Sequence, residues 1–458
     1  MSLIESLQQW TAITDNGAVT NQSSLNRCLD LFFIAWASRN MSEITIAEMF
    51  SLAYNEDQDL ALKILFWARD IRWGMWERRF FHTCCRYLLE FHPQVLQKLV
   101  KYIPEYWTWK DTFNYLSDDT VALIADKLKE GDGLLAKRMP RKWIVFKTVR
   151  KYMQIPMGDF RRMLVKLTNV VETKMCNKDW ANINYCEVPS VAFNNYKRAF
   201  ARHDEDRFVK FITNVNDWTE KLNSSVLFPY HIYQSFCNRE RHDVIQAQRD
   251  WLANYTWEDS ILPVVDVSGS MSVRVWTGNL QAIDISISLW VYLAEHIKWP
   301  FKDCFISFEW RPRLHTLKGN IADRFLQTQR SAYDMSTNLI WVFEEIIRVA
   351  KRDNLSDDDL PKKVVVISDM EFNSCWDDTN YQKICSMYKD SGYTMPYIVF
   401  WNVNGRQGNV PWNRYDNLWL VSWASPSIIK SILSWDFKTP MELMLETINT
   451  KRYEVIKS

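Results

Sequence analysis

The spacing of apolar residues changes near residue 255, and this change constrains the fold more than any other feature of the chain. Before it, apolar residues recur three and four positions apart, which is typical of one face of a helix. After it, short apolar runs typical of buried strands alternate with amphipathic segments. We therefore predict an α + α/β protein with two domains, residues 1–255 and 256–458.

The first domain is predicted to be an array of helices. Short links separate the apolar segments, and the acidic run from Ser117 to Thr120 has the composition of a helix start. Antiparallel neighbours joined by short links favour an α-solenoid of the HEAT-like kind, although no clean internal repeat is visible. The apolar sets are Leu60, Ile64 and Trp67; Val95, Leu96 and Val100; Val121, Ile124 and Leu128; Phe160, Leu164 and Leu167.

The second domain is predicted to be a parallel sheet covered by helices on both faces. Strand and helix patterns alternate along it, which is the arrangement that parallel crossovers require. The predicted strands are 261–266, 304–308, 364–367, 397–400 and 418–421. The predicted helices begin near Leu280 and Asn338, and a closing helix runs from Pro440 to Lys457.

Composition is that of a globular protein without a membrane segment. The 458 residues are 47% hydrophobic and 24% charged, and no apolar run approaches the roughly 18 residues that a span needs. The nine cysteines include no Cys-x-x-Cys, so we expect reduced thiols and a cytoplasmic location, with virion association if the source is viral. The net charge of +1 identifies no partner, and we expect a monomer without a membrane partner.

One strand ends in a pattern that suits a cation. Asp266, Ser268 and Ser270 follow the apolar run 261–265 with the spacing Asp-x-Ser-x-Ser. The carboxyl ends of parallel strands are where open α/β sheets bind ligands, and carboxylate, hydroxyl and water oxygens suit Mg²⁺ or another divalent cation. The alternative is a tight turn in which the same side chains cap the following segment.

Two later residues complete a family pattern. Thr337 precedes a predicted helix, and Asp369 follows the apolar run 364–367. With Asp266, Ser268 and Ser270, they resemble the metal-ion-dependent adhesion site of the von Willebrand factor A domain, and the resemblance covers residues 258–435. It implies that Ser268, Ser270 and Thr337 touch the cation, that Asp266 and Asp369 act mainly through water, and that a partner carboxylate can complete the coordination.

The loop before Thr337 departs from that family. It reads Tyr333-Asp334-Met335-Ser336-Thr337, where the related domains are rich in glycine. A bulkier loop can crowd the open coordination position, and Asp334 is either an extra ligand, an internal plug or part of a surface turn.

Catalysis lacks the residues that it would need. The run 267–271 has one glycine and no lysine after it, so it is not a phosphate-binding loop, and it is not the Gly-x-Ser-x-Gly of a serine hydrolase. None of the seven histidines is placed as an obvious base. We therefore do not expect an enzyme.

Three segments of the helical half, residues 54–56, 61–72 and 74–79, resemble the TROVE module of Ro and telomerase-associated proteins. The chain also resembles a group from viruses, bacteria and plants that joins such a module to a von Willebrand A domain, over residues 25–435. The resemblance implies an RNA-binding, ribonucleoprotein scaffold in which helical repeats form a ring closed by the A domain. The later segments 136–142, 188–190 and 227–230 agree with the group that joins the two modules.

A basic stripe in the helical half points to RNA independently of the family. Residues 137–166 contain ten basic side chains and one acid, Asp159. Trp143, Phe146 and Tyr152 lie among the basic residues in the sequence. Cations attract phosphates and aromatic rings can stack on bases, but the same cations could form ordinary salt bridges. The stripe consists of Lys137, Arg138, Arg141, Lys142, Lys147, Arg150, Lys151, Arg161, Arg162 and Lys166.

Two hypotheses remain. The first is a non-catalytic RNA-binding scaffold with a divalent-cation site, which binds structured or single-stranded RNA. The second is a protein-interaction module that presents its metal to a partner's carboxylate without RNA. A second arginine group, Arg69, Arg72, Arg78 and Arg79, lies beside Asp70 and Glu77 and is equally suited to internal pairing.

Overall fold

The helical half folds as the periodicity predicts. The computed structural model describes residues 11–13, 19–21, 24, 26–38, 41–224, 227–252, 260–266, 268–274, 280–297, 301–307, 312–331, 338–369, 380–403, 418–422 and 439–458. Its first helices are α1 (Arg27–Ala37), α2 (Glu43–Glu56), α3 (Gln58–Arg69), α4 (Arg78–Phe91), α5 (Pro93–Val100), α6 (Ile103–Tyr106), α7 (Trp109–Thr112) and α8 (Asp118–Lys129). They continue with α9 (Gly133–Arg138), α10 (Ile144–Tyr152), α11 (Met157–Leu167), α12 (Val171–Cys176), α13 (Ser190–His203), α14 (Glu205–Asn216), α15 (Pro229–Cys237) and α16 (His242–Asp250).

Local sequence signals set the helix starts. Ser117 caps α8, as predicted, because its hydroxyl accepts a hydrogen bond from the Thr120 N–H at 3.3 Å. Asp57 caps α3 in the same way, accepting from the Leu60 N–H at 2.9 Å. Helices near in sequence pack against one another, α1 with α2, α8 with α9, and α13 with α14, which is the local packing of a helical array.

The second half forms a six-stranded sheet with helices. Its strands are β3 (Ile261–Val265), β4 (Cys304–Ser307), β5 (Leu314–Thr316), β6 (Lys363–Ser368), β7 (Tyr397–Asn402) and β8 (Leu418–Ser422), in the order β5-β4-β3-β6-β7-β8. Its helices are α17 (Ala282–His296), α18 (Ile321–Ser331), α19 (Leu339–Arg352), α20 (Asn380–Ser391) and α21 (Pro440–Ile448). The observed fold class is therefore α + α/β.

Three details differ from the prediction. The sheet is parallel except for β5, which pairs antiparallel with β4 at the edge. A short hairpin, β1 (Thr11–Ile13) and β2 (Val19–Asn21), precedes the helices. The predicted closing helix to Lys457 ends at Ile448 instead, and the segment after it turns so that Arg452 and Tyr453 reach the N-terminal helices. Position 308 of the predicted strand 304–308 lies outside the described residues.

The helical array begins and ends against the sheet. Helix α1 lies on β8 and α21, and α3 also lies on α21. At the other end α15 packs on α17, which itself contacts β3 and is buried along most of its length. Between these junctions, residues 109–164 and 183–247 build two separate apolar clusters. The array therefore makes a closed circuit that starts and finishes on the α/β part.

The change from helices to sheet falls between Asp250 and Ile261, close to the predicted boundary at 255. The main apolar core nevertheless contains residues from both sides, within 28–115, 227–252 and 261–456. Independent folding of 1–255 and 256–458 stays a prediction. No described helix is both long enough and apolar enough to cross a membrane.

Candidate functional site

The loop after β3 holds its polar side chains close together. Asp266 is fully buried, and its Oδ1 accepts a hydrogen bond from the Ser268 N–H at 2.9 Å. The Ser268 and Ser270 hydroxyl oxygens lie 3.0 Å apart. The Asp266 N–H donates to the Ile367 carbonyl at 2.9 Å, which ties the loop to β6. The structure thus brings three of the predicted ligands into one loop.

The hydroxyl spacing fits a small divalent cation. Adjacent oxygens around an octahedral Mg²⁺ lie about 2.9 Å apart, because each Mg–O bond is about 2.0–2.1 Å long. Ser268 and Ser270, at 3.0 Å, could therefore occupy neighbouring coordination positions. Both oxygens of Asp266 already accept protein hydrogen bonds, which suits a carboxylate that acts on the cation through water. The residues that the structure describes at this loop are compatible with the predicted ion.

Ser368 is a member of this cluster that the motif did not include. Its hydroxyl donates to Asp266 Oδ2 at 2.6 Å, from the last position of the neighbouring strand β6. Burial raises the pKa of Asp266, and the hydrogen bonds from Ser368 and Ser268 oppose that rise. The sequence did carry a signal for Ser368, since it stands directly before the predicted ligand Asp369 at the end of an apolar run. Paired parallel strands end at the same edge of the sheet, so this hydroxyl was bound to lie near Asp266.

The other predicted ligands are only partly described. Asp369 is fully buried directly after β6, the strand that pairs with β3. Thr337, like Asp334 and Ser336, lies outside the described residues. Within the described part of the chain, no three His, Cys, Asp or Glu side chains form a metal-binding group.

The basic stripe splits into paired and exposed cations. Lys137 pairs with Glu172 at 2.5 Å, and Arg162 pairs with Asp159. Arg141 and Arg150 are half-buried and donate to backbone carbonyls, and burial lowers the pKa of Arg141. The remaining six are exposed and have no salt bridge to any described residue: Arg138, Lys142, Lys147, Lys151, Arg161 and Lys166.

Large apolar side chains project among these exposed cations. Trp143 is 73% exposed and Tyr152 is 51% exposed, at the two ends of α10. Ile144 is also exposed. Phe146 was predicted to be available for stacking, and this is wrong: it is buried, with its ring 5.0 Å from that of Phe160. It belongs to the inward face of α10 with Val145 and Val149.

Three arginines of the second group, Arg69, Arg78 and Arg79, have partners within the protein, whereas Arg72 is exposed. Arg69 donates to Asp111 at 2.8 Å and Arg78 contacts the same carboxylate at 3.1 Å. Arg79 donates to the Ser38 carbonyl at 3.2 Å. Most arginines of this group therefore already have partners within the protein, so the group offers a weaker surface for anions than the stripe.

A buried cluster links the C-terminal segment to the first helices. No local pattern in the sequence predicted it. Asp70 is fully buried and accepts hydrogen bonds from the Arg452 guanidinium and from the Tyr453 hydroxyl, the latter at 2.9 Å. The Tyr453 ring stacks on that of Tyr106 with centroids 5.6 Å apart. Lys63 donates to the Asn449 side chain at 2.7 Å. The C-terminal segment is thereby fixed to the first helices.

The chain belongs to the family described as "Domain of unknown function (DUF2828)", which matches residues 14–118 and 121–266, more than half of its length. A second family, "Domain of unknown function (DUF7788)", matches residues 260–454. The two matches meet where helices give way to the sheet.

Individual proteins similar to this chain include a viral relative and a solved bacterial structure. "Uncharacterized protein L728" of Acanthamoeba polyphaga mimivirus is 23% identical over 507 residues, covering 95% of this chain and 87% of the relative. Among solved structures, the Ro (RSR) protein of Deinococcus radiodurans matches with 11% identity and a TM-score of 0.41, covering 95% of this chain and 96% of that one.

Proposed function

We propose that the protein is a non-catalytic RNA-binding scaffold of the Ro-like kind, with its RNA surface on α10 and α11. The observation that carries the proposal is the group of six exposed cations, without salt bridges to described residues, that surround Trp143 and Tyr152. Such a surface attracts phosphates, and its aromatic rings can stack on bases. The resemblance of the helical half to the TROVE module supports the same conclusion.

Local charge matters more here than the overall balance. The net charge is only +1, yet residues 137–166 contain a single acid, Asp159, and it already pairs with Arg162. A compact basic surface binds a polyanion even on a neutral protein, because screening limits each charge to roughly 8 Å at physiological salt. As part of the same proposal, the protein acts as a cytoplasmic monomer.

Charge reversal tests the proposal. We expect Lys142→Glu, Lys147→Glu and Arg161→Glu together to abolish RNA binding at physiological salt and to reduce the salt slope by about 2, since each lost phosphate contact contributes about 0.7 for single strands. Arg150 is left unchanged because its guanidinium donates to the Ile155 carbonyl. The measurement is fluorescence anisotropy of labelled RNA over a salt series.

The matched control changes the same net charge elsewhere. Lys98, Lys210 and Lys389 are exposed lysines outside the stripe, and their replacement by Glu should leave most of the affinity intact. If the control triple and the stripe triple lose affinity equally, binding reflects overall charge and α10 is not the RNA surface.

A second candidate function uses the loop after β3. In it a divalent cation held by Ser268 and Ser270, with Asp266 acting through water, would accept a carboxylate from a protein partner. The 3.0 Å separation of the two hydroxyl oxygens favours this candidate. Thr337 and Asp369 would complete the site, as the resemblance to the von Willebrand A domain implies. Few directly bound charges would leave the cation able to attract an outside ligand.

Chelation tests the second candidate. A partner recovered by pull-down should be lost in EDTA, restored by Mg²⁺, and absent with Asp266→Ala. If Asp266→Ala binds the partner with undiminished affinity, the second candidate is contradicted. The proposal of RNA binding is not affected by that result.

A further inference from the structure

Helix α10 carries an aromatic ring and two lysines in one row on its outer face. Trp143 stands immediately before the helix, and Lys147 and Lys151 follow at intervals of four residues. Residues four apart lie on the same side of a helix and about 6 Å apart along its axis. All three side chains are exposed. Tyr152, at the C-terminal end of the helix, lies about 100° around the axis from Lys151 and is outside this row.

The Trp143 ring has no aromatic partner among the described residues. Tryptophan is usually well buried, yet the Trp143 ring is 73% exposed and contacts no other aromatic ring in the described part of the chain. The inward face of α10 is occupied by Val145, Phe146 and Val149 instead. Trp143 is therefore available to an outside ligand with a flat face.

A neighbouring helix adds a cation to the same surface. The Arg161 guanidinium of α11 lies 5.9 Å from the centre of the Phe146 ring, which anchors Arg161 beside α10. Lys166 and Val165, one helical turn further along α11, are also exposed. The surface thus combines separate positive charges with an exposed aromatic ring.

We propose, resting on the proposed function, that this surface takes single-stranded RNA: Trp143 stacks on an unpaired base, while Lys147 and Lys151 contact the phosphates of neighbouring nucleotides. Inside a duplex each base face is already covered by its neighbours, so a projecting indole finds no base to stack on. In a single strand every base offers a face, and stacking tolerates any sequence. The site therefore selects unpaired RNA with little sequence preference.

The test compares one labelled 12-nucleotide RNA of mixed sequence, free and annealed to its complement, by fluorescence anisotropy. We expect tighter binding of the single strand. Trp143→Ala should weaken single-strand binding at least about fivefold without changing the salt slope, because a base-stacking contact releases no counterion. Trp143→Phe should restore part of the affinity. Trp218→Ala removes a tryptophan that is 65% exposed outside the surface, and serves as the control.

The remaining outcomes separate this inference from the proposed function. Equal or tighter binding of the duplex, or no effect of Trp143→Ala where charge reversal does abolish binding, overturns the stacking role and leaves RNA binding intact. No binding of either RNA at low salt overturns both. Cosedimentation with phosphatidylserine vesicles that depends on Trp143, without RNA binding, would also overturn both and identify the surface as a lipid-docking face.

Discussion

The C-terminal tie between Arg452 and Asp70 should hold the closed circuit together, and Asp70→Asn tests it. Asp70 accepts hydrogen bonds from Arg452, from the Tyr453 hydroxyl at 2.9 Å and from the Arg72 N–H at 2.9 Å. The substitution keeps the size of the side chain but removes its charge. A guanidinium packed over the Tyr106 ring then loses its main counter-charge.

The expected cost follows from burial. Removing one partner of a buried ion pair costs about 3–5 kcal/mol. The side chain of Arg452 is 17% exposed, so we expect a loss at the lower end of this range, about 3 kcal/mol. The amides of Tyr453 and Ile456 donate to backbone carbonyls within the C-terminal segment. Because this segment opens locally, hydrogen exchange of those amides should accelerate by about 100-fold.

Hydrogen exchange followed by mass spectrometry reads this segment directly. Lys127→Ala removes an exposed ion pair with Glu130 and is the control, for which no change at 450–456 is expected. The reasoning is refuted if Asp70→Asn leaves exchange of 450–456 as slow as the control does, since the buried pair would then not hold the segment.

Three further predictions concern stability. Burial lowers the pKa of His231 to about 4, and its ring accepts a hydrogen bond from the Phe228 N–H, so the unfolded chain takes up the proton first. Stability should therefore fall as pH drops below about 6.5, by about 2 kcal/mol between pH 7 and 5, and His231→Gln should flatten this dependence in denaturant titrations; an unchanged slope contradicts it. Mg²⁺ at a hundredfold excess over its Kd should stabilise the wild type by about 2.7 kcal/mol and Asp266→Ala not at all, measured as a rise in Tm; equal rises would exclude a site at this loop. Lys197 is buried against Glu240 at 2.6 Å, so Lys197→Met should cost about 3–5 kcal/mol in urea unfolding, and a smaller loss from Lys197→Met in the background of Glu240→Gln would show that the pair is coupled.

Features with a local period could be predicted from the sequence. The helices around Ile64, Ile124 and Leu164 and the buried strands β3 and β6 lie where the spacing of apolar residues places them. Each of these elements buries a continuous apolar face, and the pattern of that face is written in consecutive residues.

Edges and long-range contacts could not be predicted in this way. Strand β5 is three residues long and carries no clear alternation, so only its pairing with β4 defines it. The tie between Asp70 and Arg452 joins residues 382 positions apart and leaves no local pattern. The end of the closing helix at Ile448, rather than at Lys457, was missed for the same reason. The contacts that bend the chain after Ile448 are made with distant helices.

More of the loop after β3 than of the basic stripe could be predicted from the sequence. Spacing brought Asp266, Ser268 and Ser270 into one loop, because all three follow the same strand. The basic stripe was visible as composition, but composition does not say which way a side chain faces. Phe146 was therefore counted among the stacking residues although it belongs to the core.

Photochemical cross-linking of bound RNA, followed by peptide sequencing, tests the RNA surface most directly. A mixed-sequence single strand should cross-link to peptides within residues 142–166, with Trp143 or Tyr152 among the modified positions. Cross-links that concentrate elsewhere in the chain, with residues 142–166 unmodified, would contradict the RNA surface proposed for α10 and α11.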